Sequence, residues 1–243
     1  MEAIEGGLRQ TRARIERACE RSGRSADSVQ LMLVTKTVPV ERLLEALGTG
    51  HALFGENRVQ EAGPKYAHPR LRDVEVHMIG HLQRNKVEQA LRWASAVHSV
   101  DRVRLVTMLE RHVDPASPLD VFVQVNTSGE ATKFGVRPEE VFELVECVDR
   151  SPHLRLRGLM TIAILGAEPE VARPCFRLLR ELRDAVVSRG HGTATELSMG
   201  MSQDLEVAVE EGATLVRVGT AVFGHRPTPD SYYWPEKTSG AAD

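Results

Sequence analysis

Eight short runs rich in β-branched residues, each followed by a helical pattern, constrain what this 243-residue chain can fold into. The runs fall at about 29–35, 51–54, 74–79, 96–99, 119–126, 154–160, 194–197 and 214–218. Helical patterns lie between them at about 39–47, 57–66, 84–93, 102–112, 138–149, 169–188 and 202–211, and a charged, moderately amphipathic helix over 1–22 precedes them all. Pro39 and Pro138 stand where first-turn prolines belong, because their missing N–H costs nothing there. Alternation throughout implies parallel neighbours, which need crossover connections. Eight strands at this length favour a closed (β/α)8 barrel, with an open doubly wound sheet as the alternative. We therefore predict a single α/β domain: a helix and lead-in over 1–27, a barrel over 28–227 and a tail over 228–243 that carries Tyr232, Tyr233 and Trp234.

Side chains alternate faces along a strand, so each run shows where its polar residues point. From Val121 to Asn126 the valines share one face, while Phe122, Gln124 and Asn126 share the other. In the last run Val216 and Val218 share a face and Arg217 points the opposite way. The first run ends at Lys36, on the face of Met32 and Val34. The pattern is apolar outside and polar inside, near the C-terminal strand ends where (β/α)8 barrels build their sites. Two small-residue turns, Ser198-Met199-Gly200-Met201-Ser202 and Gly219-Thr220, follow the seventh and eighth runs and open helices, whose first N–H groups favour anions. An amine at one strand end and two such turns at two others point to a phosphorylated aldehyde held as a Schiff base.

Each residue also has a plainer reading. Lys36 alone could be a solvated lysine past a strand, Gly200 could serve only turn geometry, and Arg217 could pair with a barrel carboxylate. Asn57 could cap the helix after it, Met160 could fill the core, and His77 and His81 could be hydrogen-bonded structural residues. Net charge is −3, so no basic field recommends nucleic acid as a partner. The arginines of the opening segment (Arg9, Arg12, Arg14, Arg17, Arg21, Arg24) read as a solvated helix face. Cys19, Cys147 and Cys175 lack a C-x-x-C spacing, which argues against a disulfide framework and a zinc site. No apolar leader or membrane-length run occurs, so a cytoplasmic protein without membrane partners is expected.

Six stretches together resemble the pyridoxal-phosphate homeostasis protein family, also called the proline-synthetase co-transcribed family. They are LVTKTVPVERLLEALGTGHALFGENRVQEAGPK, IGHLQRNK, HSVDRVRL, VQVNTSGEATKFGV, LRGLMTI and ELSMGMSQDLEVAVEEGATLVRVGTAVFGHRP, running from about residue 33 to 227. Gln203 stands where that family commonly has an acid, and Ala163-Ile164-Leu165 replaces a stretch richer in proline. The resemblance implies a fold type III barrel like the N-terminal domain of alanine racemase, with pyridoxal 5′-phosphate on Lys36. It implies that Ser198, Gly200, Gly219 and Thr220 hold the phosphate, that Arg217 faces the pyridine nitrogen, and that Asn57 and Met160 line the ring.

The family resemblance implies a role in supplying or buffering the cofactor and in amino-acid homeostasis, without firm turnover, with apo-enzymes as the expected recipients. The exposed helices carry no large apolar stripe, so a monomer is expected. The rival is an amino-acid racemase or lyase using the same cofactor. A two-base racemase needs a second acid–base group, and Tyr66, Tyr232 and Tyr233 are not expected near Lys36, which leaves His81 or a water. A Schiff-base aldolase acting on a sugar phosphate fits the lysine and the turns but not the wider match.

Overall fold

The computed structural model describes residues 2–164 and 166–224. Its eight strands pair in parallel and in sequence order, and β1 (Gln30–Val34) closes the ring by pairing with β8 (Leu215–Val218). Between them run β2 (Leu53–Glu56), β3 (Glu75–Met78), β4 (Ala96–Val100), β5 (Leu119–Gln124), β6 (Leu154–Met160) and β7 (Glu196–Ser198). The helices are α1 (Glu2–Ser22), α2 (Val40–Gly48), α3 (Val59–Tyr66), α4 (Val87–Ala90), α5 (Val103–His112), α6 (Val141–Asp149), α7 (Pro169–Ser188), α8 (Leu205–Glu210) and α9 (Thr220–Phe223). The predicted tail, residues 225–227 of the predicted barrel, and Tyr232, Tyr233 and Trp234 lie outside the described residues. The closed barrel displaces the open sheet considered from sequence.

Strand parity sorts the residues as the alternation requires. Val121, Val123 and Val125 join the large apolar cluster under the helices, whereas Met32, Val34, Ile79 and Leu215 form a separate cluster within the barrel. Register shifts on both sides of β5. Three local expectations change. The pattern over 84–93 is a 3-10 turn at Arg84–Lys86 followed by one turn of α-helix. The pattern over 202–211 loses its start, because the Met201 N–H donates to Asp204 Oδ1 (2.6 Å) and holds those residues in a loop. Pro39 stands one position before α2, as its N-cap. No helix among the described residues is long and apolar enough to cross a membrane.

The opening arginines are not simply a solvated face. α1 packs across α8 and α9, burying Ile4, Leu8, Ile15, Ala18 and Cys19 at helical spacing. Arg14 makes a two-bond fork with Glu206, and Arg24 donates to the carbonyls of Val209 and Ala213. Gly7 lets the helices touch: a Cβ there would lie 2.8 Å from the Ala221 carbonyl oxygen.

Gly158 plays the same part between strands. A Cβ on it would lie 1.9 Å from the Glu196 carbonyl oxygen, inside the β6–β7 ladder. Backbone cannot step aside there without breaking the pairing, so Gly158→Ala is expected to cost about 3 kcal/mol. A urea midpoint matching that of the parent protein would refute that packing.

Candidate functional site

The site is built at the C-terminal end of the barrel, beginning with Lys36. Its side chain is 2% exposed, and its neighbours on both sides are tied down. The Thr35 N–H donates to the Gly55 carbonyl (2.9 Å), and the Thr35 carbonyl accepts from Lys65 Nζ (2.7 Å) and the Val38 N–H (3.0 Å). Thr37 sits at φ 63, a left-handed conformation that costs a β-branched residue on the order of 1–3 kcal/mol. Its N–H donates to Glu61 Oε2 (3.3 Å) and its hydroxyl to the Lys36 carbonyl (2.6 Å). α3 thus clamps the backbone on either side of Lys36, in a conformation that the chain would not choose alone.

That clamp is itself a buried charged cluster. Glu56 Oε1 accepts from Lys65 Nζ (3.0 Å) and the Thr35 hydroxyl (2.8 Å), and Thr35 Oγ1 lies 3.0 Å from the Tyr66 hydroxyl. Burial pushes the Glu56 carboxyl up, against the pull of Lys65 and Thr35. Tyr66 corrects a sequence expectation, because its hydroxyl reaches the residue next to Lys36. It does so from the helix side of β1, and burial, then the nearby Glu56 charge, raise its phenol far above the usual range. A phenolate base there is disfavoured.

Asn57 follows β2 directly. It is not the cap of α3, a position that Arg58 occupies. Its backbone is pressed against Gly80, where a Cβ would meet the Asn57 carbonyl oxygen at 2.2 Å. The residue is 6% exposed, and among the described residues neither Oδ1 nor Nδ2 finds a hydrogen-bond partner. Leaving a buried amide donor and acceptor unmade costs about 1–3 kcal/mol each. The plain account is a place kept for a polar ligand that both donates and accepts.

Arg217, on β8, lies buried inside the barrel, and among the described residues its hydrogen bonds go to a serine and to backbone carbonyls rather than to the carboxylate considered from sequence. Nη1 donates to the Ser198 carbonyl (2.6 Å) and to Ser198 Oγ (2.8 Å), and Nη2 donates to the Thr161 carbonyl (2.7 Å). Burial brings its pKa down to about 10, only partly offset by Asp204. Met160 ends β6 in register with Ser198 and is fully buried. The Ser198 hydroxyl, expected among the anion-holding groups, is engaged elsewhere, between Arg217 and His98 Nδ1 (2.9 Å).

A hydroxyl that does stand between the two small-residue turns is that of Ser202. Its Oγ accepts from the Ala221 N–H (3.4 Å) in the first turn of α9, bringing the loop after β7 against the Gly219-Thr220 turn. Gly200, at φ 92, makes that loop possible, since a Cβ would lie 2.6 Å from the Ala208 Cβ. Ser202 was visible in the small-residue turn but was not separated from Ser198. Only Ser198 lies within the strand, so alternation turns it inward, whereas Ser202 lies past the strand end. His98 was missed as well, although it shares the inward parity of its strand.

The chain matches the family description "alanine racemase, N-terminal domain" over residues 8–227. It is 44% identical over 214 residues to the pyridoxal phosphate homeostasis protein of Aquifex aeolicus, covering 88% of this chain and 94% of that one. PipY of Synechococcus elongatus, in its structure with PLP bound, superposes with a TM-score of 0.76 at 35% identity, over 87% of this chain and 100% of that one. A structure of an unknown protein from Bifidobacterium adolescentis superposes with a TM-score of 0.84 at 33% identity, over 91% and 95%. Likeness of this degree along nearly the whole length places the chain in the pyridoxal phosphate homeostasis protein family, built on the alanine racemase N-terminal domain.

Proposed function

We propose that this protein binds pyridoxal 5′-phosphate and serves in its intracellular homeostasis and that of amino acids, with Lys36 as the residue that holds the aldehyde carbon as a Schiff base. The observation that carries this is the unpartnered amide of Asn57, buried in the same barrel end as the Lys36 amine. The residues present fit the cofactor: an amine for the aldehyde, Asn57 and Met160 for the ring, and Arg217 for the ring nitrogen. Ser202, Gly200, Gly219 and Thr220 would receive the phosphate at the loop and helix starts.

When bound, the cofactor supplies an electron sink for carbanion chemistry. This chain's residues restrain that chemistry. Arg217 donates only, so it cannot stabilise a proton on the ring nitrogen as a carboxylate would. Tyr66 is held on the helix side with its proton firmly bound. His81 stacks on Phe134, with ring centroids 3.8 Å apart, and its Nδ1 lies 3.8 Å from Asp101 Oδ2. A monomeric cytoplasmic holder that passes the cofactor to apo-enzymes fits these residues better than a racemase or lyase does.

Purified protein titrated with pyridoxal phosphate is expected to gain a visible absorption band. Hydride reduction should then leave the pyridoxyl group on the peptide that contains Lys36. A protein that stays colourless through the titration would end this reading. Incubation with L-alanine, L-serine and L-threonine in deuterated water separates holder from enzyme, because sustained cofactor-dependent Cα exchange would favour the racemase.

A further inference from the structure

One continuous polar chain crosses the barrel interior behind Arg217. Ser198 Oγ, which accepts from Arg217 Nη1, lies 2.9 Å from His98 Nδ1. His98 Nε2 lies 2.9 Å from His77 Nδ1, and His77 Nε2 lies 2.8 Å from Glu75 Oε1. The chain thus links β8, β7, β4 and β3, and it ends at the exposed first residue of β3, on the rim opposite Lys36. His98 is fully buried and stacked on Phe122, with ring centroids 4.0 Å apart. A (β/α)8 interior is ordinarily filled by branched apolar side chains, so a buried histidine pair calls for its own explanation.

The two ends of the chain set its direction. A guanidinium only donates and a carboxylate only accepts. Glu75 is held as a carboxylate, since the hydrogen bond from His77 pulls its pKa below the usual range. A His77 that carries one proton holds it on Nε2, toward Glu75, and accepts at Nδ1. His98 must then donate from Nε2 and accept at Nδ1, which turns the Ser198 O–H toward it and leaves the Ser198 lone pairs for Arg217. A second proton on His98 is opposed first by burial, and the Arg217 charge adds to this, so its pKa is held far down.

We propose that His98, aligned by His77 and Glu75, is a positioning residue that orients the Ser198 hydroxyl and so fixes Arg217. Glu75, whose charge lies on the far rim, sets through four hydrogen bonds how the guanidinium is held. The consequence for the ring nitrogen rests on the pyridoxal phosphate reading, whereas the chain of bonds does not.

Nitrogen-15 spectra of the histidines in ligand-free protein test it. Both His77 and His98 are expected as Nε2–H tautomers with Nδ1 unprotonated. Glu75→Gln replaces the acceptor-only end with an amide that can do either, so a second tautomer population should appear at His98. In binding experiments with pyridoxal phosphate, His98→Leu is expected to weaken affinity about tenfold, the scale of one lost hydrogen bond to a charged group. His98→Gln, which can still accept at one end and donate at the other, should recover most of that. An Nδ1–H tautomer or a charged imidazole at His98 in the parent protein would overturn the proposal. So would unchanged tautomers in folded Glu75→Gln, or parent-like affinity in folded His98→Leu. If His98→Leu does not fold, the Glu75→Gln spectra decide, because that substitution is on the surface. Parent protein that binds no cofactor yet shows both expected tautomers would refute the cofactor reading while supporting the relay.

Discussion

Lys36→Ala is expected to give a folded barrel from which hydride reduction recovers no pyridoxyl peptide. The amine that bonds the aldehyde must be buried with the ring, and two of the other lysines are committed elsewhere. Lys65 Nζ is held by Thr35 and Glu56 on the helix side of β1, and Lys133 Nζ donates to the Ala163 carbonyl (2.9 Å). The strand ladder around Lys36 uses backbone alone, so truncating its side chain leaves the Thr35 to Gly55 and Val38 to Thr35 bonds in place. Mass spectrometry of the reduced digest reads the label and far-ultraviolet circular dichroism reads the fold. Label persisting at parent level on another lysine would show that Lys36 is not the attachment point.

The second large effect is on stability. Lys65→Met should destabilise the protein by about 3–5 kcal/mol, the cost of leaving a buried charge without its partner. Glu56 is 0% exposed, and its Oε2 already lacks a hydrogen bond among the described residues. Removing Lys65 also takes from the Thr35 carbonyl one of its two donors, and with it one side of the clamp on Lys36. Burial already raises the Glu56 pKa, and losing the two opposing contributions of Lys65 raises it further. A carboxyl with a raised folded-state pKa contributes stability below its unfolded pKa and loses it as pH climbs through the folded value. The deficit of Lys65→Met against the parent protein should therefore be greatest toward neutral and alkaline pH, and should shrink in acid as Glu56 takes up a proton. Adding Glu56→Leu should restore most of the loss, since an apolar pair of similar volume often replaces a buried ion pair without net cost. Denaturant melts of the two single variants and the double variant at two pH values test both statements. A Lys65→Met deficit that is flat with pH would mean that Glu56 is not the group left stranded.

The barrel was legible because two periodicities repeat without interruption along the chain, and all eight predicted strands form close to their expected bounds. Lys36 and Arg217 were legible for the same reason, since strand parity aims both of them inward. What parity cannot show is which helix side chain reaches across to a strand. Lys65 and Tyr66 looked like ordinary residues at the end of α3, and only the crossover geometry brings them to Thr35. Ser198 and Ser202 illustrate the other limit. They are chemically identical and four positions apart, and a strand ending between them sends one into the barrel and leaves the other at the mouth. The orphaned amide of Asn57 had no sequence signal, because it is defined by partners that are missing rather than present.

Gly7 against Val222 leaves the opening helix no slack behind the short helices α8 and α9. α1 thus bears directly on the helix that starts after β8, although it contributes no strand to the barrel. A purification handle fused upstream is therefore not an innocent addition, and a proteolytic clip within residues 2–22 would loosen the packing behind α8 and α9.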